Sequence, residues 1–441
     1  EEVLEKILRL ESVACKDWLT NKVDRSVTGK VARQQCCGPL QLPLSNLGAV
    51  AIDFKGEKGI GVSIGHAPIP ALINPASGSM LSIAEALTNI VWAPLQEGLE
   101  AVSLSANWMW PCKNKGEDAR LYKAVEAASD FACALGINIP TGKDSLSMTQ
   151  KYPDGELVYA PGTVIISAVA EIEDVKKIIT PVLKADKDTV IVYVDFSSDN
   201  LKLGGSCYAQ INNVLGNDTP TVNHPTYFKK AFNAIQQLIK EEKILAGHDI
   251  SAGGMITALL EMCFAETNIS LDVDLSMFAK SKIENILFAE NPGVLTQLEN
   301  NKEVFNRLRE LDIAFIEIAK VSTEDTQEVR LKHNRKTYTF DIDYYRNVWF
   351  ETSYLLDCKQ SGENKAKERF DSIKKNVLKY TFPYSFSGEM EACKRKVNAA
   401  ILREQGTNGD REMAYALYKS GFNVKDIHIS DLIEGREDLA D

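Results

Sequence analysis

Apolar positions alternate between two periods along this chain. Leu4, Ile7, Leu8 and Leu10 recur at helical spacing, so residues 1–20 read as a short lead-in helix. Short apolar runs punctuated by Gly and Pro follow at 47–52, 59–64, 101–106 and 162–169 and predict strands. Two longer periodic segments, 81–93 and 117–135, predict helices between them. A second unit begins near Thr189, where 190–194 is a β-branched strand. Helical patterns follow at 227–242 and 252–266, with strands near 294–297 and 314–318. Strands interleaved with helices in this way define a mixed α/β (α+β) protein rather than a bundle.

Residues 321–396 change character. Charge rises and turn residues multiply, yet Tyr344, Tyr345, Trp349, Phe350 and Tyr354 require part of the segment to pack on a neighbour, so it reads as a docked linker. The last residues predict a strand at 399–402, a Gly-containing turn, a helix at 411–420 and a strand at 423–429. One such βαβ opening cannot bury a core, so it reads as the truncated start of a domain. The expected division is 1–20 lead-in, 21–175 first domain, 176–320 second domain, 321–396 linker and 397–441 truncated domain.

Composition narrows the function. The 441 residues exceed one ordinary core, and 44% hydrophobic with 25% charged residues describes folded protein. A formal net charge of −11 argues against a nucleic-acid binder, which needs surplus Lys and Arg, although one local phosphate site is compatible with it. Nothing approaches eighteen consecutive apolar residues, so no membrane span is expected. The nine cysteines include no C-x-x-C pair, which supports reduced thiols in a cytoplasmic protein rather than a disulfide or metal framework. An opening of Glu1-Glu2-Val3-Leu4-Glu5, without Met, leads us to expect a piece of something larger.

Three segments carry candidate chemistry. Ser82, Glu85 and Asn89 form a polar stripe at i, i+3 and i+7 on the 81–93 helix, either a solvated face or a pair of oxygen ligands suited to Mg²⁺. The run Gly247-His248-Asp249-Ile250-Ser251-Ala252-Gly253-Gly254 opens the next helix, with Ser251 as the expected N-cap. It is either a capped entry turn or a phosphate and metal site. The third, Thr141-Gly142-Lys143-Asp144-Ser145, lacks Walker spacing and reads as a polar turn or a phosphate- or substrate-holding turn. No G-x-S-x-G elbow and no suitably paired carboxylates support a hydrolase.

Together with Asp24-Arg25-Ser26-Val27-Thr28-Gly29, residues 34–44, Glu85-Ala86-Leu87-Thr88-Asn89, Leu104-Ser105-Ala106-Asn107-Trp108-Met109-Trp110, 141–148 and 248–254, the chain resembles the phosphoribosylformylglycinamidine synthase family in its long, single-chain form. The stretch 401–412 resembles the beginning of that family's glutaminase domain. The resemblance implies an aminoimidazole-ribonucleotide-synthetase-like two-domain half, a linker, and the βαβ start of a class I glutamine amidotransferase-like domain. The first synthetase half and the glutaminase nucleophile with its partners are expected to lie outside this chain.

It further implies a role in the ATP- and glutamine-dependent conversion of formylglycinamide ribonucleotide to the amidine in purine biosynthesis. By resemblance, a non-catalytic ATP/ADP site would hold Mg²⁺ through Glu85, Asn89, Asp249 and Asn46, with Ser45 and Ser251 contacting nucleotide. An Asp stands in the family where this chain has Asn46, which removes one formal charge from that set. Gly142, Lys143 and Ser145 match the half-site this domain contributes to the catalytic centre. The rival readings are a purely structural nucleotide-binding module and another ATP-using member of the superfamily, such as the hydrogenase-maturation, selenophosphate or thiamine-phosphate kinases. A homodimer through strands in 47–64 and 101–106 is expected, because a sheet face would otherwise lack its partner.

Overall fold

A computed structural model describes residues 1–20, 23, 29–322, 326–375 and 397–440. Asp24 to Thr28 of the first family string, and residues 376–396 of the expected linker, lie outside the described residues. The chain divides into two compact units. One comprises Glu1–Arg25, Ala32–Ile52 and Glu57–Leu378, the other Ser26–Val31, Asp53–Gly56 and Lys379–Asp441.

The larger unit is built around two large sheets. Among the described residues the first has six strands, in the order Val31–Arg33, Gly48–Ala51, Gly59–His66, Thr163–Ile172, Ser103–Met109 and Asn138–Ser145. Gly59–His66 pairs antiparallel with Gly48–Ala51 and with Thr163–Ile172, which pairs antiparallel with Ser103–Met109, while Ser103–Met109 and Asn138–Ser145 run parallel. The strand Gly59–His66 inverts the usual alternation. Its inward positions are Gly59, Gly61, Ser63 and Gly65, while Ile60, Val62 and Ile64 point outward and are exposed. Small inward residues let the helix Pro75–Ile90 approach the strand backbone. A Cβ on Gly65 would lie 2.2 Å from the Ser82 carbonyl oxygen, so only Gly fits there.

That helix begins six residues before the expected 81. Pro75 and Gly78 resemble breakers, but Pro is tolerated in the first turn, and the Asn74 side chain accepts from the Ala76 and Ser77 amides as N-cap. The helix Glu117–Leu135 matches its expected range and ends at left-handed Gly136.

The second sheet runs Ile244–Asp249, Gly293–Glu299, Thr189–Asp195, Ile316–Ser322, Ser270–Asp274, Glu328–His333 and Lys336–Asp341. Thr189–Asp195 holds both cores together. Ile191 and Tyr193 belong to one apolar cluster, and Val190, Val192 and Val194 to the other, which the first sheet and the helix Pro225–Lys240 share. A strand buried on both faces requires this continuous apolar run.

Up to residue 375 the described residues of the stretch expected to be a linker are mostly regular structure, and this corrects the sequence reading. Two of its strands complete the second sheet, and the helices Ile342–Ser361 and Glu363–Ser372 follow. Buried Arg346 donates from Nε to the Phe264 carbonyl (2.6 Å) and from Nη2 to the Glu266 carbonyl (3.1 Å). It thereby satisfies the open carbonyl end of the helix Gly254–Phe264. Trp349 Nε1 donates to Val13 O (2.9 Å) and Glu261 Oε1 (3.1 Å), tying the lead-in segment to the same helix. High charge had disguised an amphipathic helix.

The smaller unit pairs Asn398–Arg403 with Asn423–His428 in parallel around the helix Asp410–Lys419. That helix buries no residue, and Ile401 and Ile427 are the buried apolar side chains of residues 397–440.

Candidate functional site

The site forms where the helix Pro75–Ile90 meets the strand Ile244–Asp249 and the helix Gly254–Phe264. Beside this junction opens a cavity of about 170 Å³, lined by the helix Pro75–Ile90 and by residues 250–252, which join that strand to the next helix. Ala67, Pro68, Ile69, Pro70 and Ile250 give it apolar walls, and Glu85, Ser251 and Glu290 are among its polar groups. An apolar slot with few convergent polar groups suits a small ligand with one charged end.

Burial decides between the two readings of the polar stripe. Ser82 and Asn89 are buried, and Ser82 Oγ donates to Gly78 O (2.9 Å), so the stripe is not a solvated face. Glu85 Oε2 accepts the His66 backbone N–H (2.6 Å) and remains at the cavity wall. Asn89 Nδ2 donates to Ile64 O (2.9 Å), which leaves Oδ1 buried without a hydrogen-bond partner. Asp249 Oδ1 accepts from Asn46 Nδ2 (3.1 Å), and its Oδ2 is likewise buried without a partner.

Two orphaned buried oxygens are the chemistry a hard cation satisfies. Among the described residues no group of three or more His, Cys, Asp or Glu side chains could hold a metal. A cation here would therefore have to draw on amide oxygens as well as Glu85 and Asp249. Asn46 faces Asp249 with its NH₂, and a half-turn of the amide would present oxygen instead.

His248 adds positive charge beside this set. Burial opposes its protonation, but the Asp249 and Glu261 carboxylates outweigh burial and hold it up to about 10. Its Nδ1 lies 3.3 Å from Asp249 Oδ1, and its Nε2 lies 3.1 Å from Glu261 Oε2. The second is a charge contact rather than an aligned hydrogen bond.

The glycine-rich entry differs from expectation. The N-cap of the helix Gly254–Phe264 is Gly253, not Ser251, whose side chain instead lines the cavity. Gly253 and Gly254 have φ of 89° and 74°, left-handed values that Gly adopts without strain. The Gly253 amide is also not open to phosphate, because it donates to Glu290 Oε1 (2.8 Å). Ser45 Oγ donates to Leu47 O (3.1 Å), and Ser45 shares a pocket of about 10 Å³ with Asn46 and Asp249 rather than the larger cavity.

Residues Gly142, Lys143 and Ser145 stand apart from this site. They lie on the strand Asn138–Ser145, not in a turn, at the sheet edge three strands from Gly59–His66. Lys143 and Ser145 share a face, and Lys143 Nζ donates to Ser145 Oγ (2.5 Å), whereas alternation turns Asp144 away. The Gly204-Gly205-Ser206 loop and Glu290, both on the cavity wall, escaped the sequence reading. Two glycines and a Ser N-cap before the helix Cys207–Ile211 were the available signal.

Burial raises the Glu290 carboxyl to about 7, against the two amide hydrogen bonds that favour its ionised form; the Glu85 charge adds to the rise. The folded chain then holds a proton that the unfolded chain releases above about 4.5, so this group's contribution to stability falls as pH rises from about 4.5 to 7. We expect wild type to lose about 2 kcal/mol relative to Glu290→Gln between pH 5 and pH 8. Urea unfolding of both proteins at each pH measures this, and a difference that stays flat would refute it.

Domain by domain, the chain matches an AIR-synthase-related α/β pair followed by glutamine amidotransferase sequence. Residues 15–171 match the FGAR-AT PurM_N-like domain, 188–332 the AIR synthase related protein C-terminal domain, and 396–441 the CobB/CobQ-like glutamine amidotransferase domain. More particularly, the chain is similar along nearly its whole length to phosphoribosylformylglycinamidine synthases. It is 38% identical over 442 residues to the probable phosphoribosylformylglycinamidine synthase of Arabidopsis thaliana, and 38% identical over 444 residues to the human phosphoribosylformylglycinamidine synthase. Each match covers 98% of this chain but 31% and 33% of the relative, so the chain spans about a third of their length. The solved structure of Thermotoga maritima PurL complexed with ADP shares the fold. Its TM-score is 0.57 at 13% identity, covering 78% of this chain and 52% of that one. Among the described residues no helix is long and apolar enough to cross a membrane.

Proposed function

We propose that this chain is the second synthetase half of an ATP- and glutamine-dependent ligase that converts formylglycinamide ribonucleotide to the amidine. In that reaction the substrate amide oxygen takes the γ-phosphoryl group of ATP and ADP leaves. Ammonia from glutamine then adds at the same carbon and inorganic phosphate departs. Lys143 and Ser145, side by side on an exposed strand edge, suit the charge neutralisation that phosphoryl transfer needs.

The cavity beside Glu85 is given a different task, that of a structural Mg-nucleotide site. The observation carrying this reading is the pair of buried, unpartnered oxygens, Asn89 Oδ1 and Asp249 Oδ2, near an apolar slot. When bound, Mg²⁺ would neutralise these oxygens and the phosphates of ADP or ATP. Glu85, Asn89, Asp249 and a turned Asn46 would hold it, and Ser251 would face the nucleotide. With one carboxylate fewer than the family set, the site carries less charge to capture the cation.

Gently purified protein is expected to release ADP or ATP on denaturation, detected by mass spectrometry. MgADP at a hundredfold excess over Kd should add about 2.7 kcal/mol of stability, and Glu85→Ala should abolish that gain. No nucleotide, and no stabilisation of wild type by MgADP, would defeat the reading.

A further inference from the structure

The cavity is bordered by loops from distant parts of the chain, and one short segment holds them together. A single oxygen of Glu290, Oε1, accepts the Cys207 amide and the Gly253 amide, each at 2.8 Å. The Cys207 amide opens the helix Cys207–Ile211 directly after the Gly204-Gly205-Ser206 loop, and the Gly253 amide follows Ser251 and Ala252; both preceding stretches lie on the cavity wall. The next residue, Asn291, is buried and pins a third loop. Its Nδ2 donates to Ser197 Oγ (3.1 Å) and Asn200 O (3.0 Å), and its Oδ1 accepts from the Lys202 amide (3.4 Å).

Such a contact differs from an ordinary helix cap. A carboxylate bonded to two amides from separate elements fixes their spacing as well as satisfying them. The burden is real, because Glu290 is enclosed in protein near the Glu85 carboxylate, where a charge is costly to bury. Apolar residues could pack the loops, but they could not set two amides to one point. Preorganised loops lower the ordering cost of binding.

We propose that Glu290, backed by Asn291, is a positioning residue that holds the two glycine loops in the geometry that accepts the nucleotide. This rests on the nucleotide reading above. Glu290 is not itself a ligand to the phosphates, and its effect is on affinity through the loops.

The test is titration of MgADP into nucleotide-stripped full chain, with apo stability measured separately by urea. Glu290→Ala should weaken binding at least tenfold, and Glu290→Gln, which keeps an acceptor oxygen, should restore most of it. Asn301→Ala, which removes a remote helix cap, serves as the stability control and should leave affinity unchanged. If Glu290→Ala does not fold, Glu290→Asp decides the matter, since the shorter carboxylate cannot span both amides and should also lose tenfold. Unchanged affinity in the Ala or Asp variant, or a loss that merely follows stability as in the control, overturns the proposal. Wild type that binds no MgADP overturns the nucleotide reading instead.

Discussion

Val62→Glu is expected to halve the mass of this protein in solution. The outward face of the first sheet carries Val50, Ile52, Ile60, Val62, Ile64 and Val169, all exposed. Register places Ile60 opposite Val50, and Val62 opposite Val169, so these side chains form one contiguous patch. The strand Ser103–Met109, once expected to join it, contributes instead the half-buried polar residues Ser103, Ser105 and Asn107. Under the proposed reading this face packs on the homologous half, and a second copy of this chain supplies the most similar surface. Wild type should then sediment at twice 48.8 kDa. A glutamate at position 62 would be buried twice across a twofold interface. The cost is at least about 4 kcal/mol, a roughly thousandfold loss of affinity. Sedimentation over a hundredfold dilution decides it. A single 48.8 kDa species for wild type at every concentration would end the dimer proposal.

The second large effect concerns turnover. The chain alone should form no amidine from ammonia, ATP and formylglycinamide ribonucleotide, because the reading places only Gly142, Lys143 and Ser145 of the catalytic centre on it. Adding a separately expressed first half should restore ammonia-dependent turnover. In that mixture Lys143→Ala should lower kcat/KM about a hundredfold, the scale of one lost electrostatic contact to the reacting group. Turnover by the chain alone, or an unaltered rate for Lys143→Ala in the mixture, would show the division of labour to be wrong.

Much of the site was legible as chemistry but not as geometry. Glu85 and Asn89 stand one helical turn apart, and His248-Asp249 leads into paired glycines, so local spacing sufficed to single them out. The Asn46–Asp249 hydrogen bond joins residues 203 apart in the chain, and no local pattern encodes it. Glu290 left still less trace. It follows the six-residue helix Ile283–Phe288, and its amide partners lie 83 and 37 residues away. Residues 141–145 read as a polar turn in the sequence, yet they belong to the strand Asn138–Ser145, which Pro140 and Gly142 do not end. It occupies a sheet edge, where the amide that Pro lacks is not needed.

The sequence by itself determined the type of the strongly periodic elements, because period is a short-range property. Helix Glu117–Leu135 and the β-branched run of Thr189–Asp195 needed no tertiary information to be recognised. Tertiary structure decided which polar groups are buried and which apolar ones are left outside. The Ser82 and Asn89 stripe faces protein rather than water, because Ser63 and Gly65 let the helix sink onto the strand. The same substitution of glycine for bulk on the inner face leaves Ile60, Val62 and Ile64 on the outer one. Residue identity names the groups available for chemistry. Their burial and their mutual distance depend on elements remote in sequence, and only the packed chain fixes those.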